Sequence, residues 1–234
     1  MIRKATLGDW PSISDISRRS GYEDYINRLG SSYLDEGEVL VYEDGSIMGF
    51  AKIEFLEDNS VWFSGLRVDP GHWRSGIGRK LTEGSLKLAA ERKASNARLL
   101  VYDDNEKSLS LVEKMGFQKI EKYAFLNGMP DTGSMESTSA HPGKGLINIG
   151  WKFIDASKCS RSTAILYYRE KLKILGAGGR TFEILSSGDS KIALSGDGYT
   201  CAKEAVDLAG CISNYNDLEA SSGYVFEKVL TGDS

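Results

Sequence analysis

The stretch Gly65-Leu66-Arg67-Val68-Asp69-Pro70-Gly71-His72-Trp73-Arg74-Ser75-Gly76-Ile77-Gly78-Arg79-Lys80-Leu81 decides how this chain is read. Val61 to Val68 has strand character, Asp69-Pro70-Gly71 is turn chemistry, and Leu81, Leu86, Leu88 and Ala89 carry a helical spacing from about Gly78 to Arg92. A strand therefore runs into a glycine-rich turn that opens an amphipathic helix. Gly76 and Gly78 have no side chain to keep a phosphate away, the first helical N–H groups lack intrahelical acceptors, and the helix dipole adds partial positive charge. Arg74, Arg79 and Lys80 bring formal charge to the same place. The pattern predicts an anion cradle. It is not a Walker loop, because no Gly-Lys-Ser or Gly-Lys-Thr closes it, and it lacks the third glycine of the dinucleotide fingerprint.

Upstream, Met1 to Thr6 reads as a short strand, Trp10, Ile13 and Ile16 recur at helical spacing after Gly8-Asp9, and Tyr22 to Leu34 reads as a second, weaker helix. Glu38 to Glu43, Ile47 to Leu56 and Val61 to Val68 then form a meander, with Asp44-Gly45 as a hairpin turn. Downstream, Arg98 to Tyr102 suits a buried strand, so the helix between it and Val68 predicts a parallel crossover. Glu106 to Lys114 reads as a helix closed by Met115-Gly116, and Phe117 to Phe125 as a strand.

The 234 residues, 41% hydrophobic and 26% charged with four prolines, have the composition of a globular protein of one large or two small domains. A net charge of −4 predicts no nucleic-acid partner and no anionic-membrane partner. Cys159, Cys201 and Cys211 form no Cys-x-x-Cys pair and only His72 and His141 accompany them, so no metal site is expected and the thiols suit a reducing, cytoplasmic compartment. Neither a leader nor a membrane-spanning run is expected from the sequence.

Taken in order, the elements of residues 1 to about 125 resemble the GNAT superfamily of acetyl-CoA-dependent N-acyltransferases. The likeness rests on the Val68 to Gly78 segment, V-x-P-x-x-x-x-x-G-x-G, and on Asn105-Glu106-Lys107-Ser108 followed by Lys114-Met115-Gly116-Phe117. It implies an α/β (α+β) fold: a mixed sheet with an antiparallel meander, a parallel crossover and splayed central strands. It also implies acetyl-CoA as acyl donor. The backbone of Leu66, Arg67 and Val68 would bond the acetyl carbonyl and pantetheine arm. The amides of Arg74, Ser75, Gly76, Ile77, Gly78 and Arg79 would wrap the pyrophosphate, and Asn105 and Ser108 would line the cofactor's other side. Trp73 stands where members of the family often have Gln or Arg. The implied reaction is direct attack of a neutral primary amine, of a small molecule, peptide or protein, on the thioester, with backbone donors meeting the developing charge.

An amine with an ordinary pKa near 10.4 must first lose a proton. Glu54 is the candidate base, and its alternation with Lys52 equally suits an exposed strand face. Val112 occupies the helix position where many members place the tyrosine that protonates the leaving thiolate, and valine has no proton to give. Ser108, Tyr102 and Tyr123 are the substitutes; the alternative is an acyl-CoA-binding or regulatory module that has lost catalysis. Tyr22, Tyr25 and Tyr33 could shape the acceptor wall or simply pack a core. His72 reads as a loop residue.

The sequence predicts domain boundaries at 1-128 for this GNAT-like part, 129-145 for a linker or mobile loop, and 146-234 for a small C-terminal α+β module. In that module Ile147 to Ile154, Arg180 to Leu185, Lys191 to Leu194 and Tyr224 to Leu230 read as strands, and Ala164 to Leu175 and Cys201 to Leu208 as helices. Gly196-Asp197-Gly198 followed by the helix read over Cys201 to Leu208, and later Asn216, Ala220 and Gly223-Tyr224, faintly echo the first half as a degenerate repeat. An appendage that covers the acceptor site or makes a homodimer contact is the other reading.

Overall fold

The computed structural model describes residues 1–21, 25–127, 136–138, 146–148, 151–158, 164–168, 172–176, 183–187, 190–194, 199–203 and 219–230. The chain divides into two compact units: residues 1–99 with 113–116 and 228–234, and residues 100–112 with 117–227.

The first unit holds β1 (Ile2–Lys4), α1 (Trp10–Arg19), α2 (Tyr25–Leu29), β2 (Glu38–Asp44), β3 (Ser46–Phe55), β4 (Ser60–Val68), α3 (Ile77–Glu91) and most of β5 (Asn96–Tyr102). Its strands lie in the order β1-β2-β3-β4-β5. The pairs from β1 to β4 are antiparallel, and α3 carries the chain to β5, which runs parallel to β4. The second helix expected over Tyr22 to Leu34 is a single α-turn, Tyr25–Leu29, that tightens into a 3₁₀ segment over Gly30–Leu34; Tyr22 lies outside the described residues.

Both faces of this sheet are covered, which is why its strands read as nearly continuous apolar runs. Val39, Val41 and Phe50 pack on one face with Ile13 and Ile16 of α1, Ile26 of α2 and Tyr33. Leu40 and Ala51 pack on the other with Ile77 and Leu81 of α3. Register explains the sorting: Val41 pairs with Phe50 and Leu40 with Ala51, so alternate rungs face opposite helices.

At the start of β4 and β5 the core admits charge. Arg98, 3% exposed, donates through Nη1 to Asp58 Oδ2 at 2.6 Å and to Ser60 Oγ at 3.0 Å. Asp58 is itself 2% exposed. The run read as an apolar strand from Arg98 thus begins two residues earlier and includes a buried ion pair.

The second unit contains the end of β5, α4 (Glu106–Lys114, up to Val112), β6 (Gln118–Asn127) and further strands. Those are β7 (Glu136–Thr138), β8 (Leu146–Asn148), β9 (Phe153–Asp155), β10 (Ala164–Tyr168), β11 (Leu172–Gly176), β12 (Glu183–Ser187), β13 (Ser190–Leu194), β14 (Tyr199–Lys203) and β15 (Glu219–Val229, up to Glu227). Strands β15, β6, β14, β13, β12, β11, β10 and β7 neighbour one another in that order, while β8 and β9 make a separate hairpin.

This part corrects several expectations. Ala164 to Leu175 is two antiparallel strands, β10 and β11, and Cys201 opens no helix but lies in β14. Ladder partners decide these short segments more than their own spacing does. Glu136–Thr138, inside the stretch read as a linker, pairs with β10. The final strand β15 pairs with β6 from Glu219 to Glu227, and residues 228–234 belong to the first unit, so the units do not divide the chain at residue 128. Of the residues that carried the repeat idea, 196–198 and Asn216 lie outside the described residues, Cys201 lies in strand β14 where a helix was expected, and Ala220, Gly223 and Tyr224 lie within β15.

Candidate active site

The decisive stretch folds as its chemistry requires. Strand β4 pairs with β5 only from Ser60↔Asn96 to Phe63↔Leu99, whereas its pairing with β3 continues to Gly49↔Val68. The later half of β4 is therefore laddered on one side by these registers. The β3 ladder also slips: Phe50 faces Arg67 but Lys52 faces Ser64, so Gly65 and Leu66 share the single partner Ala51. That is a β-bulge, and Gly65 holds its left-handed conformation at φ +60°. A bulge turns backbone N–H groups out of the regular ladder, and here it sits in the segment, Leu66 to Val68, expected to meet the acyl carbonyl.

Beyond Val68, Asp69 caps a 3₁₀ turn over Pro70–His72, its side chain accepting the Gly71 amide at 2.9 Å. Trp73 is 50% exposed, and its indole Nε1 donates to Val68 O at 2.8 Å, folding the ring back over the strand end. Ser75 Oγ donates to His72 O at 2.5 Å. Arg74 has φ +63° and Gly76 φ +81°, so left-handed residues flank Ser75 on both sides in the turn. A Cβ on Gly76 would meet nothing within 4 Å, so the space in front of it is open.

Helix α3 starts at Ile77 with no side-chain cap. Its first backbone bond runs from Lys80 N to Gly76 O at 3.0 Å, leaving the amides of Ile77, Gly78 and Arg79 without an intrahelical acceptor. Arg74 and Arg79 are exposed beside them, with Arg79 held by Glu83 at 2.8 Å. Uncapped amides, a helix dipole and two guanidinium groups suit a diphosphate, so these residues fit the pyrophosphate of coenzyme A.

The candidates for proton transfer are spread differently. Glu54 is half-buried on β3. Its neighbour Lys52, read as a member of an exposed face, is 4% exposed. Lys52 Nζ donates to Tyr33 O at 3.1 Å and stands 4.6 Å from the Tyr33 ring centroid. The alternation is legible, but nothing in it tells which face the 3₁₀ segment carrying Tyr33 covers. Tyr33 itself is fully buried, whereas Tyr25 is 38% exposed.

In the second unit Asn105 Oδ1 accepts the Ser108 amide at 3.1 Å, so the Asn-x-x-Ser motif caps α4. Val112 is buried. Tyr102 is 38% exposed; Tyr123 is 2% exposed, with its hydroxyl on Glu121 and its ring 4.5 Å from that of Phe153. Tyr123 is the least accessible of the proposed acids.

Residues 5–117 match the model of the acetyltransferase (GNAT) family. Among solved structures, a candidate acetyltransferase from Pyrococcus horikoshii is similar over 100% of this chain and 90% of its own, at 16% identity and a TM-score of 0.61. A candidate acetyltransferase from Thermoplasma acidophilum is similar over 98% of this chain and 99% of its own, at 18% identity and a TM-score of 0.59. The PaiA N-acetyltransferase of Thermoplasma acidophilum, solved with coenzyme A, covers 52% of this chain and 91% of its own, at 20% identity and a TM-score of 0.46. The fold is a mixed α/β sheet shared with acetyltransferases. Residues 5–117 are thus similar to an acetyltransferase domain of the GNAT family, whose members use acetyl-CoA as acyl donor.

Proposed function

We propose that the chain is an N-acetyltransferase that moves the acetyl group of acetyl-CoA to a primary amine of a small molecule, peptide or protein, with both substrates bound at once. The observation that carries this reading is the uncapped start of α3, opening on free space at Gly76 one turn after a strand whose β5 ladder stops at Phe63 while its β3 ladder continues to Val68. Bound acetyl-CoA supplies an activated thioester carbonyl. The protein's part is to hold the diphosphate on the amides of Arg74 to Arg79, to align the arm along Leu66 to Val68, and to direct N–H groups near the bulge at the carbonyl oxygen.

Glu54 is the proposed base toward the amine, and Tyr102 and Ser108 the proposed acids toward the thiolate. Roles for Asn105 and Ser108 in holding the cofactor rest on the motif alone. The reading includes a cytoplasmic location, which the unpaired cysteine spacing supports.

Isothermal titration tests the donor site. Wild-type protein is expected to bind acetyl-CoA and Gly76→Glu to lose that binding, because the new carboxylate enters the space meant for phosphate. A wild type that binds none, or a Gly76→Glu variant that binds as well as wild type, rejects the reading.

Val112 favours a second reading, a domain that binds acyl-CoA without turnover. Binding without thiol release across a broad amine panel supports it; appreciable thiol release with any amine rejects it.

A further inference from the structure

The turn leading from β4 into the cradle is held by a residue fifty positions earlier in the chain. Asp69 is the first residue past β4, and its side chain is only 13% exposed. Its amide donates to Met48 O at 2.8 Å, which ties the turn to β3 through the backbone. Its carboxylate does more. Oδ1 accepts the Gly71 amide at 2.9 Å and Nη1 of Arg19 at 2.7 Å, while Oδ2 accepts Nη2 of Arg19 at 2.9 Å.

Arg19 is the last residue of α1, where the helix dipole favours a cation. Its remaining nitrogen, Nε, donates to Asp15 Oδ2 at 2.7 Å. A planar guanidinium engaged on both edges has one orientation, and a two-bond pair of this kind has more geometric specificity than an ordinary surface contact. The His72 ring also faces this carboxylate, with Nδ1 3.8 Å from Oδ2.

We propose that Arg19 is a positioning residue for the acyl donor, a role that rests on the donor site described above. It acts through Asp69 in two ways. It locks the carboxylate that shapes the Asp69–His72 turn, and so the path of Trp73 to Gly76 and the aim of the amides that follow. It also cancels a negative charge lying next to a site that must accept a diphosphate. Without Arg19, Asp69 would still reach the Gly71 amide but would stand as an unbalanced carboxylate at the entrance of the cradle. That repulsion is long-ranged at low ionic strength and screened at high.

The test is titration of acetyl-CoA into wild type, Arg19→Met, Arg19→Lys and the double variant Arg19→Met/Asp69→Asn, at low and moderate salt. Thermal melting and hydrogen exchange at the Gly71 amide are followed in the ligand-free proteins. Arg19→Met is expected to raise the acetyl-CoA Kd about tenfold, as a neighbouring unpaired charge at intermediate dielectric would, and to raise it more at low salt. Arg19→Lys should fall between, since it keeps charge but not the two-bond fit. Asn at position 69 should return part of the lost affinity by removing the repelling charge.

A pair that only stabilises the fold would lower the melting temperature and leave the Kd and its salt dependence untouched. Arg19→Met with wild-type Kd and wild-type Gly71 exchange overturns the proposal while leaving the donor site standing. A wild type that binds no acetyl-CoA overturns the donor site, and this role with it.

Discussion

The hydroxyl of Tyr33 lies against the backbone of Gly65, so close that a Cβ on that glycine would stand 2.2 Å from the oxygen. Gly65 also has φ +60°, where an L side chain is strained. Lys52 also holds Tyr33, by its bond to the carbonyl and its position over the ring. Gly65→Ala is therefore expected to cost more than about 2 kcal/mol, overpacking and backbone strain together. Urea unfolding measures it. Adding Tyr33→Phe should recover only the part due to the clash, and full recovery would show that the φ of Gly65 carries no cost.

The Arg98–Asp58 pair makes a second expectation. Both side chains are nearly inaccessible, and Ser60 shares the network. Asp58→Ala leaves a guanidinium in the core and is expected to cost about 3 to 5 kcal/mol. The double change Asp58→Ala/Arg98→Met removes the uncompensated charge, so its melting temperature should exceed that of Asp58→Ala alone. If the double variant melts lower, the buried charge is not what destabilises the single one.

Acid should loosen the first unit through two carboxylates. Asp9 lies beside Arg3, whose bonds at 2.8 and 2.9 Å, with those from Thr6, hold its carboxyl well below the usual range. Asp69 is held low chiefly by Arg19, with help from the Gly71 amide and the nearby His72. A lowered carboxyl pKa contributes stability that is present in full above its unfolded value, about pH 4, and is lost as pH falls through the folded value. Asp9→Asn should lower stability at neutral pH and flatten its decline below about pH 4. An unchanged acid limb in urea titrations would contradict this.

Trp73 provides an optical check on the cradle. Its ring is half exposed and tethered by Nε1 to Val68 O, beside the segment proposed to meet the donor. Acetyl-CoA is expected to change the tryptophan fluorescence of the wild type and to change that of Trp73→Phe much less. Equal responses would place the emission change at another tryptophan.

The strand–turn–helix junction proposed as the anion cradle was legible because it is contiguous. Strand end, turn, glycines and helix start follow one another within about a dozen residues, and each obeys a local rule of conformation or dipole. The same locality made β2, β3 and α4 readable, with Gly45 turning the hairpin at φ +72° and Gly116 ending the helix at φ +80°. Beyond Asn127 the local rules failed. Alternation and helical spacing are hard to tell apart over five residues, and β10, β11 and β14 are strands because neighbouring strands pair with them.

The sequence alone determined that β4 runs through a glycine turn into α3 and that this junction presents uncapped backbone amides, since a helix start needs no distant partner to expose them. Tertiary structure decided what surrounds the junction. Whether Lys52 faced solvent or Tyr33, whether Gly65 had room for a methyl group, and which cation met Asp69 all depended on chain segments folded back from α1 and α2. Side-chain packing and ion pairing are properties of proximity in space, which residue order does not specify.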